Sequence, residues 1–280
     1  MSTSMRVSTL VAALGACLLA LPAFSQDVDL SGSLKFSGAP TPQELQAQQK
    51  ACEAKKPPRR SAGALTEGTF RRLERTMQQI AKNQYPEAEK TLAEMLADSG
   101  RSEYEKGIIQ QTLGYVYAST NREMLAVKAF EQAVATNSLP QAIHEALMFN
   151  IAQLYISDDK AEQGMQRLNA YLAESCNPNP DAHILLASVY AEKKQWRDSL
   201  KQADLAIVKA KAPKESWLQL KLALHYELKE LPRCAEVLVH LVALNPVKPD
   251  YFRQLSGMLL QIGKDPEAMA VLALAERRGL

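Results

Sequence analysis

His144-Glu145 begins as a zinc-binding helix would, but no second histidine stands four residues on to complete the pair of ligands. His183, His225 and His240 are scattered, each without a metal-ligating neighbour at useful spacing. Asp158-Asp159 offers paired carboxylates in a predicted loop, without the alternating oxygen ligands of a calcium loop. No serine sits in a G-x-S-x-G elbow, and there is neither a P-loop nor a G-x-G-x-x-G after a strand. Beyond Cys17 the cysteines are Cys52, Cys176 and Cys234, with no C-x-x-C among them and no histidine at zinc spacing. These residues at these spacings compose no catalytic site, no metal site and no cofactor site. The expectation is therefore a non-enzymatic protein.

Composition narrows this further. The 280 residues carry 33 basic and 31 acidic side chains, a net charge of +2. That balance argues against a nucleic-acid partner, which needs a basic surplus on one face. Hydrophobic residues make up 46%, enough for a full core, while aromatics are only 6%. Ala, Leu, Gln, Lys and Glu dominate; they lose little side-chain freedom in a helix, so an all-α fold is expected.

The first 25 residues read as a secretory signal peptide. Arg6 gives a positive start, Val7 to Leu21 is apolar apart from Ser8 and Thr9, and Ala23 and Ser25 are the small residues of a cleavage site before Gln26. The apolar run is short of the roughly 20 residues needed to span a bilayer. The expected location is the periplasm. The alternative is a lipoprotein, since Leu14-Gly15-Ala16-Cys17 resembles a lipobox, although the apolar run continues past Cys17. No other segment is apolar enough to span, so membrane contact is expected only indirectly or through lipid on Cys17.

Residues 26–65 read as a flexible leader holding Pro40, Pro42, Pro57 and Pro58. Thr41-Pro42-Gln43-Glu44 carries a capping residue, a first-turn proline and an acid to close a capping box, which predicts a short helix from Pro42 to about Ala54. Lys55, Lys56, Arg59 and Arg60 follow as a basic knot, a solvated linker or a contact for an acidic surface. An odd count of three cysteines after cleavage allows one disulfide at most. Cys234 falls inside a helical pattern and reads as a small hydrophobe. Whether Cys52 and Cys176 pair is left open by the sequence.

From about Thr66 the chain repeats itself. Leu113, Gly114, Tyr117, Ala126, Phe130 and Ala133 recur as Ile151, Ala152, Tyr155, Gly164, Leu168 and Tyr171. They recur again as Leu186, Ala187, Tyr190, Ser199, Ala203 and Ala206. A fourth set is Leu222, Ala223, Tyr226, Ala235, Val239 and Val242, and a fifth is Leu255, Ser256, Leu259, Ala268, Leu272 and Ala275. The spacing resembles positions 7, 8, 11, 20, 24 and 27 of a tetratricopeptide repeat (TPR), with a period scattered about 34 residues. A weaker unit precedes them over about 66–103. Its second helix is marked by Pro86, Ala88, Leu92 and Met95. Its first carries Leu73, Met77 and Ile80 but lacks the small residue and the tyrosine. The domain expected over 66–280 is thus a solenoid of about six helix-turn-helix repeats wound into a right-handed superhelix. Small residues at positions 8 and 20 let paired helices approach; large ones at 11 and 24 fill the gap to the neighbouring pair. Pro140, Pro178, Pro180, Pro213, Pro246 and Pro249 fall where helices should stop. The sixth unit ends at Leu280 without an added polar capping helix, which solenoids ordinarily carry.

Such solenoids hold ligands along the face lined by the first helix of each pair, at positions 2, 5, 9 and 12. Here that set includes Gln111, Tyr115, Phe149, Gln153, Ile184, Ser188, Trp217, Leu220 and Leu224, then Asp250 and Arg253. The set is aromatic and aliphatic with a few amides. It fits a protein ligand with an apolar stripe, such as a helix laid in a groove, and no small-molecule substrate is expected. Trp217 and Phe149 are the expected anchors.

Glu215-Ser216-Trp217-Leu218-Gln219-Leu220, Tyr226-Glu227-Leu228-Lys229, Glu236-Val237-Leu238, Leu241 to Pro246 and Tyr251 to Lys264 add a narrower likeness. They resemble the periplasmic TPR proteins associated with TonB energy-transduction systems of Gram-negative bacteria. The resemblance implies an interaction scaffold accessory to a TonB-dependent envelope transport complex. The alternative function is a periplasmic chaperone or assembly factor for outer-membrane proteins or lipoproteins, using the same groove.

Overall fold

The computed structural model describes residues 40–55, 63–210 and 212–280. The expected signal peptide, the Cys17 lipobox and the basic knot from Lys56 through Arg60 lie outside the described residues. Thirteen α-helices and no strands are found among the described residues. None of these helices is long and apolar enough to cross a membrane.

Helix α1, Pro42–Lys55, starts as its sequence predicts. Thr41 N donates to Glu44 Oε2 at 2.7 Å, and Glu44 N donates back to Thr41 Oγ1 at 3.2 Å. Twelve helices follow as six pairs: α2 Glu67–Ala81 with α3 Tyr85–Leu96, α4 Glu103–Ser119 with α5 Glu123–Ala135, and α6 Gln141–Ser157 with α7 Ala161–Glu174. Then come α8 Pro180–Glu192 with α9 Trp196–Lys209, α10 Glu215–Glu227 with α11 Leu231–Leu244, and α12 Pro249–Gln261 with α13 Asp265–Arg277. Proline stands in the first turn of α3, α8, α11, α12 and α13, where its missing N–H costs nothing.

The turn inside each pair supplies an internal ruler. Asn83, Asn121, Asp159, Lys194, Lys229 and Gly263 all have positive φ, between 56° and 74°, and each reverses the chain between a first and a second helix. Counted from this residue as position 15, five pairs have the small side chain at position 8: Thr76, Gly114, Ala152, Ala187 and Ser256. The register read from the sequence holds for the second, third, fourth and sixth pairs. The first pair does carry a small residue after all, Thr76, wholly buried with its hydroxyl donating to Arg72 O at 2.8 Å.

The fifth pair is displaced by one. Lys229 sets position 15 there, so position 7 is Lys221, position 8 Leu222 and position 11 His225, all buried. Cys234 Sγ lies 3.9 Å from Leu222 O, just as Ser199 Oγ donates to Ala187 O at 2.7 Å one pair earlier. Tyr226, expected at position 11, is instead 41% exposed.

The helices group into two compact units. One spans Ala47–Pro178; the other holds Asn179–Leu280, with the start of α1 through Gln46. In the first, Ala88, Leu92, Met95, Ile109, Leu113 and Val116 form one core cluster and Val127, Phe130, Leu139, Leu147 and Ile151 the next. Glu105 ties the opening turns of α2 and α4 together. Its Oε1 accepts from Thr66 N, Thr66 Oγ1 and Thr69 Oγ1 at 3.1, 2.7 and 2.5 Å; its Oε2 accepts from Ser102 N at 3.0 Å in a capping box. The hydroxyls of Thr69 and Thr66 hold this carboxyl far below the usual carboxylate range. Within the same unit a disulfide joins Cys52 of α1 to Cys176 in the loop after α7, across 124 residues of sequence. In the second unit the largest cluster gathers Trp217, Leu218, Leu238, Leu241, Phe252 and Leu255, and Cys234 is a buried free thiol there.

Candidate functional site

Two side chains in the set read from the sequence belong to the core. Trp217 is only 6% exposed and packs in the cluster of α10 to α13, under the ammonium of Lys214, which lies 5.0 Å from the ring centroid. Leu224 is buried against Ala187, Ala191, Leu200 and Ala203 of the preceding pair. Leu220 is half-buried and packs on the same cluster. The cause is the one-residue shift of the fifth pair. Corrected, Trp217, Leu220 and Leu224 occupy positions 3, 6 and 10, which turn inward. Positions 2, 5, 9 and 12 become Ser216, Gln219, Ala223 and Tyr226. The misleading signal was Leu222-Ala223-x-x-Tyr226, which mimics the repeat one residue late. The true core positions, Lys221 and His225, are polar and invisible to a hydrophobic pattern.

In the unit spanning Ala47–Pro178 the face is built from α2, α4 and α6. Tyr115 is exposed on α4, its ring edge-on to Phe130 at 5.1 Å between centroids, and its hydroxyl accepts from Asn150 Nδ2 of α6 at 3.4 Å. Phe149 is half-buried and stacked on Tyr171 at 5.7 Å, so it is braced from behind by the second helix of its own pair. Gln111 is half-buried and Gln153 exposed on the same two helices. The set read from repeat spacing omits α2, where Phe70 is 57% and Met77 59% exposed at positions 2 and 9. The positive-φ turn at Asn83, matching Asn121, would have supplied that register. With it, the twelve positions 2, 5, 9 and 12 of α2, α4 and α6 carry no charged residue: Phe70, Leu73, Met77 and Ile80, then Ile108, Gln111, Tyr115 and Ala118, then Ala146, Phe149, Gln153 and Ile156.

In the unit spanning Asn179–Leu280 the face is less apolar. Ile184 is half-buried against two core clusters, and Ser188 turns its hydroxyl onto Ile184 O at 3.1 Å. Arg253 is exposed but already paired with Asp250 one turn earlier. Gln219 Nε2 donates to Tyr251 Oη at 2.7 Å, and Lys248 Nζ lies 2.7 Å from Glu215 Oε1, which also accepts from Tyr251. Those bonds draw the Glu215 carboxyl below its ordinary value and raise that of the Lys248 ammonium.

No known family model matches the chain, and no curated protein does. Solved structures match in fold. A tetratricopeptide repeat protein from Parabacteroides merdae superposes with a TM-score of 0.55 at 14% identity, over 74% of this chain and 78% of that one. A crystal structure of MamA protein gives 0.50 at 11% identity, over 61% and 90%. The chain is an all-α TPR solenoid in fold, built of helix-turn-helix repeats.

Proposed function

We propose that this protein is a non-enzymatic interaction scaffold of the periplasm, accessory to a TonB-dependent envelope transport complex, and that it grips a partner protein on the first helices of its repeats. The observation that carries this is the uncharged face of α2, α4 and α6, where Phe70, Met77 and Tyr115 are large apolar or aromatic side chains left exposed. A fold whose helices stack by small-residue contact leaves its first helices free for a ligand. Periplasmic location follows the export-type residues before Gln26, and the TonB assignment follows the likeness of the stretch from Glu215 to Lys264. A photo-crosslinking residue placed at Tyr115 in living cells tests the whole assignment. The expected adduct is one defined partner belonging to a TonB complex, lost when Phe149 is also changed to alanine. A ladder of many unrelated outer-membrane proteins would instead identify a chaperone. N-terminal mass spectrometry checks the location: mature protein beginning at Gln26 is expected, and lipid on Cys17 overturns soluble export.

A further inference from the structure

The fifth repeat pair has a second surface feature, on the side of the second helices. In the second and third pairs, position 11 is a tyrosine that leans on the preceding second helix. Arg122, at position 16, lies over the Tyr117 ring at 4.6 Å and reaches back to Glu89 of α3 at 2.7 Å; Tyr155 Oη bonds Glu131 of α5 at 3.3 Å. In the fifth pair the same staple is present with its charges exchanged. Glu230, at position 16, reaches back to Arg197 of α9 at 2.6 Å and holds His225 Nδ1 at 2.8 Å. His225 is smaller than the tyrosine it replaces, and Lys221 replaces the aliphatic residue that position 7 carries in the pairs on either side. A cleft of about 430 Å³ opens here between α9, α10 and α11. That is within the size range of small-molecule sites.

The lining is charged and internally neutralised. On the floor, the nearly fully buried Lys221 ammonium is 2.5 Å from Asp204 Oδ1. At the mouth, Arg233 and Glu236 pair at 2.8 Å, both more than a third exposed. Leu200, Pro232 and Val237 supply the apolar part of the wall. An ionic ligand would have to displace one partner of an existing pair and strand the other, which is costly for buried charge. A neutral ligand rich in hydroxyls need not: each hydroxyl donates to a carboxylate lone pair and accepts from a guanidinium or ammonium N–H while the pairs stay formed. We propose that this cleft binds a neutral, polyhydroxylated small molecule of mono- or disaccharide size, held above the buried Lys221 and His225 between the Arg197–Glu230 and Arg233–Glu236 pairs, with Pro232 at its apolar side.

Saturation-transfer NMR on the full mature protein tests this with glucose, galactose, N-acetylglucosamine and maltose, alongside glycine and succinate as zwitterionic and dianionic comparators. Saturation of at least one saccharide is expected, with glycine and succinate silent. His225→Tyr, which restores the side chain of the second, third and fourth pairs, should weaken the saccharide tenfold or more while the helical circular dichroism stays unchanged. Should that variant misfold, Glu236→Gln at the exposed mouth serves in its place, with the same loss expected. Silence of all four saccharides, equal saturation of wild type and the folded variant, or saturation of glycine or succinate instead would each overturn the assignment. Because the cleft lies on the second-helix side, a crosslink at Tyr115 succeeds or fails independently of it.

Discussion

Single atoms decide how tightly these repeats close. A Cβ at Gly114 would overlap the buried Phe130 ring, so even Gly114→Ala must displace that ring or the second helix that carries it. Overpacking of this kind costs about 1–3 kcal/mol, and the expected result is a lower melting temperature by calorimetry with full helicity retained. Glu105 stabilises in a different way. Its carboxyl is depressed in the folded state, so its contribution is complete above the ordinary carboxylate range and drains away as pH falls through that range and below. Glu105→Gln leaves the buried Thr69 hydroxyl, with the donors of Thr66 and Ser102, facing an amide and should cost roughly 1–3 kcal/mol at neutral pH. A urea titration repeated down the pH scale should show the wild type converging on the variant in acid. Trp217→Ala, by contrast, removes a core aromatic; a stability loss of about 3–5 kcal/mol is expected, with ligand affinity per folded molecule unchanged. Cys234 stays silent: burial pushes its thiol up to about 11, and alkylation by iodoacetamide is expected only in denaturant.

At the scale of helices, most of the architecture was written in the spacing of small and large side chains. Gly114 against Phe130 and Ser199 against Ala187 are contacts that require particular sizes at fixed intervals, so they leave a periodic mark. The capping box from Thr41 to Glu44 is likewise local chemistry, and α1 ends within a residue of where its sequence predicts. The first and fifth pairs were harder because their key positions are polar. Thr76 hides its hydroxyl in its own helix, and Lys221 and His225 are buried only because Asp204 and Glu230 answer them from elsewhere in the chain. A pattern of hydrophobicity cannot see a buried ion pair, and Leu222, Ala223 and Tyr226 offered it a convincing substitute. The turn residue with positive φ was the surer guide: Asn83, Asn121, Asp159 and Gly263 are the residue types that tolerate that geometry. Lys194 and Lys229 are not, and at those turns the sequence carries no such signal. The candidate face inherits this: Tyr115, Phe149 and Gln153 stand at least partly open at the positions that the spacing gives them, whereas Trp217 and Leu224 lie in the core because α10 is displaced by one.

At the scale of the molecule, a solenoid gains almost all its contacts from neighbours in sequence, and the Cys52–Cys176 bridge is the exception. By constraining the unfolded chain, such a closure typically contributes about 2–4 kcal/mol. Hydrogen exchange with and without reductant should show α2 to α7 losing protection on reduction, with α8 to α13 unchanged. The same bridge alters what the protein is as a mechanical object. Stretched from its two ends, a repeat array peels open pair by pair and lengthens with each step. Here the stretch between the cysteines, a sequence separation of 124, is shunted by a covalent bond, so tension bypasses it and roughly 400 Å of contour length is withheld. In a single-molecule pulling trace, the extension at rupture should fall short by that amount and regain it when dithiothreitol is added. Under load the chain thereby has one compliant stretch, α8 to α13, and one between the cysteines that holds its length.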